Sequence, residues 1–152
     1  MENLKTDTME MTPVAKPRIA IFLISLLAAF QVVRIFALPI IQGVFDGKYS
    51  EAWLYPAMVD MVIGASALVI GYALWKKRGL AVWTIAIVWF VISVFDHMDA
   101  FTVIATTTEA LPPGFPPQAS SAMAGLLVMS ALELLALVTL TRSKLRNYYL
   151  GR

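Results

Sequence analysis

Four long apolar runs constrain this chain more than any other feature of its sequence. They cover about residues 19–41, 57–75, 80–104 and 119–141. A helix needs roughly 20 mostly apolar residues to cross about 30 Å of hydrocarbon, and backbone amides in lipid must be bonded within a helix or a closed barrel. The runs lack the period-two alternation of barrel strands. The sequence therefore predicts an all-α fold, an integral membrane four-helix bundle over residues 19–141.

Composition excludes two other classes of protein. The chain has 59% hydrophobic and 14% charged residues, whereas soluble domains have about 45–50% and about 25%. An ordinary soluble globule and a disordered chain are therefore both excluded. The sequence has no cysteine and one histidine, which excludes thiolate sites and three-histidine zinc sites within one chain. We expect no cofactor and no metal.

The distribution of positive charge predicts the orientation. Basic residues gather before the first run, between the second and third runs, and after the fourth: Lys5, Lys16, Arg18, Lys76, Lys77, Arg78, Arg142, Lys144, Arg146 and Arg152. The other two loops contain only Lys48. Cytoplasmic loops carry such an excess, so we expect cytoplasmic termini, with a flexible tail over residues 1–18 and a basic tail over residues 142–152.

The same distribution bears on partners and location. The basic residues lie beside apolar runs and not over one face, so a lipid bilayer is the expected partner and nucleic acid is not. The protein is predicted to be multi-pass, in the plasma (inner) membrane if it is prokaryotic. The sequence is compatible both with a homo-oligomer and with membership of a larger membrane complex.

The second run has a series of small residues on the same predicted helix face as an acid, Asp60. Gly64, Ala67 and Gly71 follow Asp60 at helical spacing, a pattern that favours close approach of another helix. The link over residues 76–79 is so short that the second and third spans should form an antiparallel hairpin.

Six ionisable side chains fall within the spans: Arg34, Asp60, Asp96, His97, Asp99 and Glu133. A charge at the bilayer centre costs about 2.5–3.5 kcal/mol on insertion scales, so each should face the bundle interior, a wet cavity or a partner. Counting about 1.5 Å per helical residue places Arg34, Asp60 and Asp96 in one outward layer. The acids outnumber Arg34, so protons, water from an outward cavity or a bound cation must compensate their charge.

Helical periodicity adds further polar residues that could line a cavity: Gln31, Ser66, Trp89, Ser93 and Ser130. The same count puts Glu133 roughly 12 Å from the end of its span, deeper than the other acids. Glu133 is therefore expected either to be protonated or to form a hydrogen bond with Ser66 or Trp89, and it is a candidate proton carrier.

Several interpretations of these residues remain open. Arg34 could form a structural ion pair with Asp60 or Asp96, or hold a substrate anion. Asp96, His97 and Asp99 could be the wetted end of the third span, a proton or cation site, or a mononuclear metal site. Adjacent and i+2 spacings converge poorly on a helix, which disfavours the metal.

Three functional hypotheses follow. The first is a transport or conductance role, in which the acidic and Arg cluster binds a proton, a small cation or a polar ligand. The second is a noncatalytic membrane subunit or assembly factor. The third is a small membrane enzyme acting on a lipid-like substrate, with Asp96, His97 and Asp99 as acid/base groups. No residue is assigned as catalytic, and the sequence favours a protein that is not an enzyme.

Overall fold

Four helical segments are long and apolar enough to cross a membrane: Arg18–Phe45, Glu51–Lys76, Leu80–Thr106 and Ala119–Thr141. They belong to a computed structural model that describes residues 16–108 and 110–151. Within these ranges the chain forms helices and no strand, which confirms the predicted all-α class. The helices are α1 (Arg18–Phe30), α2 (Leu38–Phe45), α3 (Leu54–Lys76), α4 (Leu80–Thr106), α5 (Ala119–Thr141) and α6 (Ser143–Leu150), and two 3₁₀ segments cover Gln31–Ala37 and Glu51–Trp53.

The first span is not one continuous α-helix. The 3₁₀ segment Gln31–Ala37 separates α1 from α2, and Pro39 lies in the first turn of α2. Proline has no N–H for a hydrogen bond to the fourth residue before it, and its ring crowds that carbonyl. Side chains three residues apart eclipse one another on a 3₁₀ helix. Gln31, Arg34 and Ala37 are accordingly the buried residues of this segment.

The small residues of α3 allow close packing against the first span. A Cβ atom at Gly64 would lie 2.5 Å from the backbone nitrogen of Ile35, and one at Gly71 would lie 2.8 Å from the carbonyl oxygen of Ser25. Gly64, Ala67 and Gly71 are all buried. The backbone that carries Arg34 is thereby held directly against α3.

One end of the bundle gathers the basic segments, and we call it the basic end. Tyr149 ties α6 to it: its hydroxyl donates to the Leu74 carbonyl at 2.7 Å, and its own carbonyl accepts from the Gly79 N–H at 2.9 Å. The sequence analysis did not identify α6, which begins one residue after α5 ends. The start of α1, the link 77–79 and α6 therefore lie at the same end.

The opposite end, which we call the far end, is covered by the proline-rich loop between α4 and α5. The Phe115 ring lies 5.1 Å from the Trp53 ring, centroid to centroid, and Pro112 is fully buried. This loop packs on the bundle instead of crossing solvent as a bare connector.

Two apolar clusters divide the interior. The cluster toward the basic end includes Ile21, Phe90 and Leu140. The cluster toward the far end includes Ile40 and Ile104. On α1–α2, α4 and α5 a short stretch of buried polar residues separates the members of the two clusters, and the candidate site lies at this level.

Candidate functional site

Seven polar side chains from all four long apolar segments meet between the two apolar clusters. We call them the polar layer: Gln31, Arg34, Asp60, Ser93, Asp96, His97 and Glu133. Six of the seven are buried, and the side chain of Asp60 is 23% exposed. Every residue of the layer was a sequence candidate. The structure therefore brings together seven of the eleven predicted residues.

Arg34 is the centre of the layer. Its Nε donates to the carboxyl group of Asp60, its Nη1 to the Ser93 hydroxyl, and its Nη2 to the carboxyl group of Asp96. The sequence left Asp60 and Asp96 as alternative partners, and Arg34 binds both. Nε–H and one Nη2–H point the same way from the planar guanidinium, so the two carboxyl groups lie side by side along one edge of Arg34.

Glu133 is fully buried and joins α5 to the layer. Its Oε1 accepts from Gln31 Nε2 at 2.8 Å and from Ser93 Oγ at 2.5 Å, and its Oε2 lies 3.0 Å from His97 Nδ1. Arg34 Nη1 lies 3.9 Å from Oε1. The same glutamate thus contacts both basic side chains of the layer.

The expected partners of Glu133 were wrong. Trp89 Nε1 donates to Ser66 Oγ at 2.9 Å, so these two candidates pair with each other. Ser130 donates to the Leu126 carbonyl at 2.9 Å. Ser66, Trp89 and Ser130 therefore lie outside the polar layer.

The depth count failed because the ends of α4 and α5 are staggered. Trp83 Nε1 donates to the Leu140 carbonyl at 3.0 Å, so the last turn of α5 lies beside Trp83 and not beside Leu80. With level ends Leu140 would lie beside Ala81, so the stagger is two residues of helix, or about 3 Å. This offset raises Glu133 toward the other acids, and the lengths of the Glu and His side chains span the remaining gap.

The layer has an imbalance of charge. Arg34 is its only permanent cation, while Asp60, Asp96 and Glu133 supply three carboxyl groups, one from each of α3, α4 and α5. His97 is the remaining titratable group in the layer. With every carboxyl group ionised, the layer would carry an excess negative charge even if His97 were protonated. Buried charge without compensation is costly.

A groove of about 540 Å³ reaches the layer from between α3 and α4. We call it the acidic groove, and its walls are Tyr55, Val59, Ile92, Phe95, Asp96, Met98, Asp99 and Thr102. Asp96 Oδ1 is buried and has no hydrogen-bond partner among residues 16–108 and 110–151. Asp99 is half-buried and makes no hydrogen bond or ion pair with another residue of the described ranges.

Asp96, His97 and Asp99, toward the far end of α4, do not all face the same surroundings. His97 contacts Glu133 inside the layer, whereas Asp99 lines the groove outside it. Across residues 16–108 and 110–151, no three His, Asp or Glu side chains are arranged to hold a metal ion. His97 and Asp99 thus have different surroundings, and a joint acid/base site of Asp96, His97 and Asp99 stays a prediction.

The proline-rich loop borders the layer on another side. A small cavity of about 140 Å³ is lined by Arg34 and Asp60 together with Pro113, Gly114 and Phe115 of the loop. The sequence analysis did not connect this loop with the site. Its only signal was the presence of Phe115 among the prolines, because an aromatic side chain there needs an apolar surface to cover it.

No family model, curated protein or solved structure matches this chain. Its function is therefore argued from the geometry of the polar layer.

Proposed function

We propose that the chain is a multi-pass membrane protein that binds and releases protons at the polar layer, in a transport or conductance role. One observation carries the proposal. Three carboxyl groups from three helices share the single guanidinium of Arg34, between two apolar clusters of a bundle whose four long helices could all span a bilayer. Intramembrane ionisable residues of this kind mark ion pathways and proton relays.

A proton fits this layer better than a metal cation does. The guanidinium of Arg34 occupies the centre of the carboxyl groups and would repel a second cation there. A proton adds to a carboxyl oxygen without displacing Arg34. Two places could accept a proton: Asp96 Oδ1, which is buried without a partner in the described part of the chain, and the Glu133–His97 contact.

The acidic groove supplies a route for exchange. Asp99 and Thr102 lie along it toward the far end, one and two turns beyond Asp96. Water in this groove would bring protons to Asp96. Toward the basic end, the apolar cluster around Phe90 and Leu140 closes the layer, so passage there requires the helices to separate.

The charge distribution suggests which way the groove faces. Cytoplasmic segments carry the excess of Lys and Arg, and the described basic residues of both termini and of the link 77–79 lie at the basic end. We therefore propose that the basic end is cytoplasmic and that the acidic groove opens to the outside.

Proton flux into liposomes tests the proposal. Purified protein is reconstituted with a pH-sensitive dye inside the vesicles, and a potassium gradient with valinomycin sets the membrane potential. We expect potential-dependent acidification with wild type and a loss of about 100-fold or more with Glu133→Gln, because one proton-transfer group typically contributes about 10²–10⁴-fold. Gln keeps the size of the side chain and its capacity to accept from Gln31 and Ser93.

Ser130→Ala is the matched control, since Ser130 lies on the same helix one turn away and its hydroxyl donates to the Leu126 carbonyl of that helix. It should retain wild-type flux. Absence of flux with folded wild-type protein, or equal flux with Glu133→Gln, would refute the proposed function.

A further inference from the structure

Four cationic side chains line one cavity of about 610 Å³ at the basic end. Lys16 precedes α1, Arg18 begins it, Arg142 links α5 to α6, and Lys144 lies in α6. The remaining walls are Pro17, Ile19, Ala20, Thr139 and Leu145. We call this cavity the basic groove, and none of its walls from the described part of the chain is acidic.

Three of the four cations have no partner within the described part of the chain. Lys16 Nζ donates to the Trp75 carbonyl at 2.8 Å and lies 4.0 Å from the centre of the Trp75 ring. Arg18, Arg142 and Lys144 make no side-chain hydrogen bond or ion pair with residues 16–108 or 110–151. Like charges converging on one cavity repel one another unless an anion lies between them.

The basic groove continues into an apolar one. Between α1 and α5 runs a second groove of about 530 Å³, which we call the apolar groove. It shares Ile19, Ala20 and Thr139 with the basic groove, and its other walls are Leu23, Ile24, Leu27, Leu132, Leu135 and Ala136. From Ile19 to Leu27 it extends about 12 Å along the helix axis.

We propose that the two grooves together bind one anionic phospholipid. Its phosphate headgroup lies among Arg18, Arg142 and Lys144, with Lys16 at the edge, and an acyl chain fills the apolar groove. Charge complementarity supports this occupant. The joined surface is cationic at one end and apolar along the rest. An anionic phospholipid matches it, because its headgroup is anionic and its acyl chains are apolar. Basic pockets at the ends of membrane helices bind such headgroups.

The backbone contributes in the same direction. Both α1 and α6 begin at the basic groove, and neither has a side chain capping its first turn. The N-terminal ends of helices carry partial positive charge and attract anions. A second membrane helix would fill the apolar groove as well, but an apolar helix would leave the four cations unmatched.

This inference is independent of proton binding. The basic groove lies at the opposite end of the bundle from the acidic groove, and none of its walls belongs to the polar layer. Loss of proton flux would leave lipid binding intact, and loss of lipid binding would leave the polar layer unchanged.

Native mass spectrometry of the detergent-solubilised protein tests the proposal. The protein is titrated with phosphatidylglycerol and, separately, with phosphatidylcholine carrying the same acyl chains, and the Kd of the first bound lipid is measured. We expect phosphatidylglycerol to bind at least about tenfold more tightly, because each Lys or Arg near a membrane surface contributes about fivefold to attraction of anionic lipid. Removing two cations with R142Q/K144Q should reduce that preference by up to about 25-fold.

K76Q/K77Q is the matched control, because these two exposed lysines also lie at the basic end but do not line the groove. K76Q/K77Q removes the same charge and should change the preference for phosphatidylglycerol by less than about twofold. This result would separate a specific site from general electrostatic attraction to the basic end. Arg18→Gln alone, with an unchanged elution profile, provides a second variant if R142Q/K144Q does not fold.

Three results would overturn the inference. The first is equal affinity for the two lipids, and the second is an equal effect of the control pair. In the third, glycerol 3-phosphate competes as well as the whole lipid, which would make the site a phosphate site that does not use the apolar groove.

Discussion

The polar layer and the basic groove use the same kind of side chain in opposite ways. Arg34 in the layer has a 6% exposed side chain and donates to three partners. Arg142 in the basic groove is exposed and has no partner among the described residues. A guanidinium removed from water needs hydrogen-bonding anions from its own chain, whereas one at the surface can remain available to an outside anion. Burial thus separates a charge that holds the bundle together from a charge that can recruit a ligand.

The same substitution at both arginines tests this contrast most strongly. Arg34→Met leaves Asp60, Asp96 and Glu133 without their common cation and should lower the free energy of unfolding by about 3–5 kcal/mol. Arg142→Met should change it by less than about 0.5 kcal/mol. Reversible unfolding in mixed micelles of mild detergent and dodecyl sulfate measures both.

A double variant sharpens the result. Arg34→Met combined with Asp96→Asn removes one of the stranded carboxylates and should be more stable than Arg34→Met alone. Equal losses for Arg34→Met and Arg142→Met would mean that the pairing in the layer contributes nothing to stability.

Two glycines extend the comparison to backbone packing. Gly64→Ala would press a methyl group against the backbone of Ile35, next to Arg34, and should cost about 1–3 kcal/mol. At Gly125 on α5 a Cβ atom would meet no other part of the described chain within 4 Å beyond its own helix backbone, so Gly125→Ala should be neutral or stabilising by up to about 1 kcal/mol. The same micelle assay compares them, and a Gly64→Ala variant as stable as Gly125→Ala would contradict the close contact.

Tyr149 tests how firmly α6 is held at the basic end. Tyr149→Phe removes the hydrogen bond to the Leu74 carbonyl and should cost about 0.5–1.5 kcal/mol. Tyr72→Phe, at an exposed position on α3, is the control and should have no effect.

The effect of Tyr149 should also depend on pH. Burial raises the pKa of Tyr149 well above its ordinary value of 10.0. Its contribution is therefore complete below pH 10.0 and declines as the pH rises through the folded-state pKa, because the unfolded chain ionises first. Unfolding of wild type and of Tyr149→Phe at pH 9 and at about pH 11 measures this dependence. The difference in free energy of unfolding between the two proteins should be smaller at the higher pH. A constant difference would contradict the burial of the phenol.

Lys48 completes the comparison as a cation that is exposed and yet paired. Its Nζ lies 2.9 Å from Asp46 Oδ2, and this hydrogen bond raises the pKa of Lys48 above its ordinary value of 10.5. The contribution of the pair is present below that value and is lost as the pH rises through the raised pKa. Water screens the pair, so Lys48→Gln should leave the unfolding midpoint unchanged at neutral pH. A clear shift that disappears in high salt would show that this loop pair matters.

The sequence predicted much of the site because burial of charge follows simple rules. Apolar runs indicated the four helices, and the high cost of a charge inside them singled out Arg34, Asp60, Asp96 and Glu133. Three of these were placed in one layer by counting residues along the helices. The fourth was misplaced, because the count assumed that the ends of α4 and α5 are level.

The remaining features depend on how the helices lie against one another. His97 and Asp96 are adjacent in sequence and point toward different partners, and only the position of α5 decides that His97 contacts Glu133. The helix α6 has too few apolar residues to stand out in the sequence. It is buried because Leu145, Tyr148 and Tyr149 pack on the bundle.

The sequence by itself therefore determined the class of this protein and the identity of its costly residues, since hydrophobicity, length and charge are properties of each segment alone. Only the tertiary structure decided which of these residues meet, because contact depends on the stagger of α5, the 3₁₀ turn that aligns Gln31 with Arg34, and the close approach of α3 at Gly64. The basic groove has the same origin: its cations are far apart in sequence, and they converge because the starts of α1 and α6 lie at one end of the bundle.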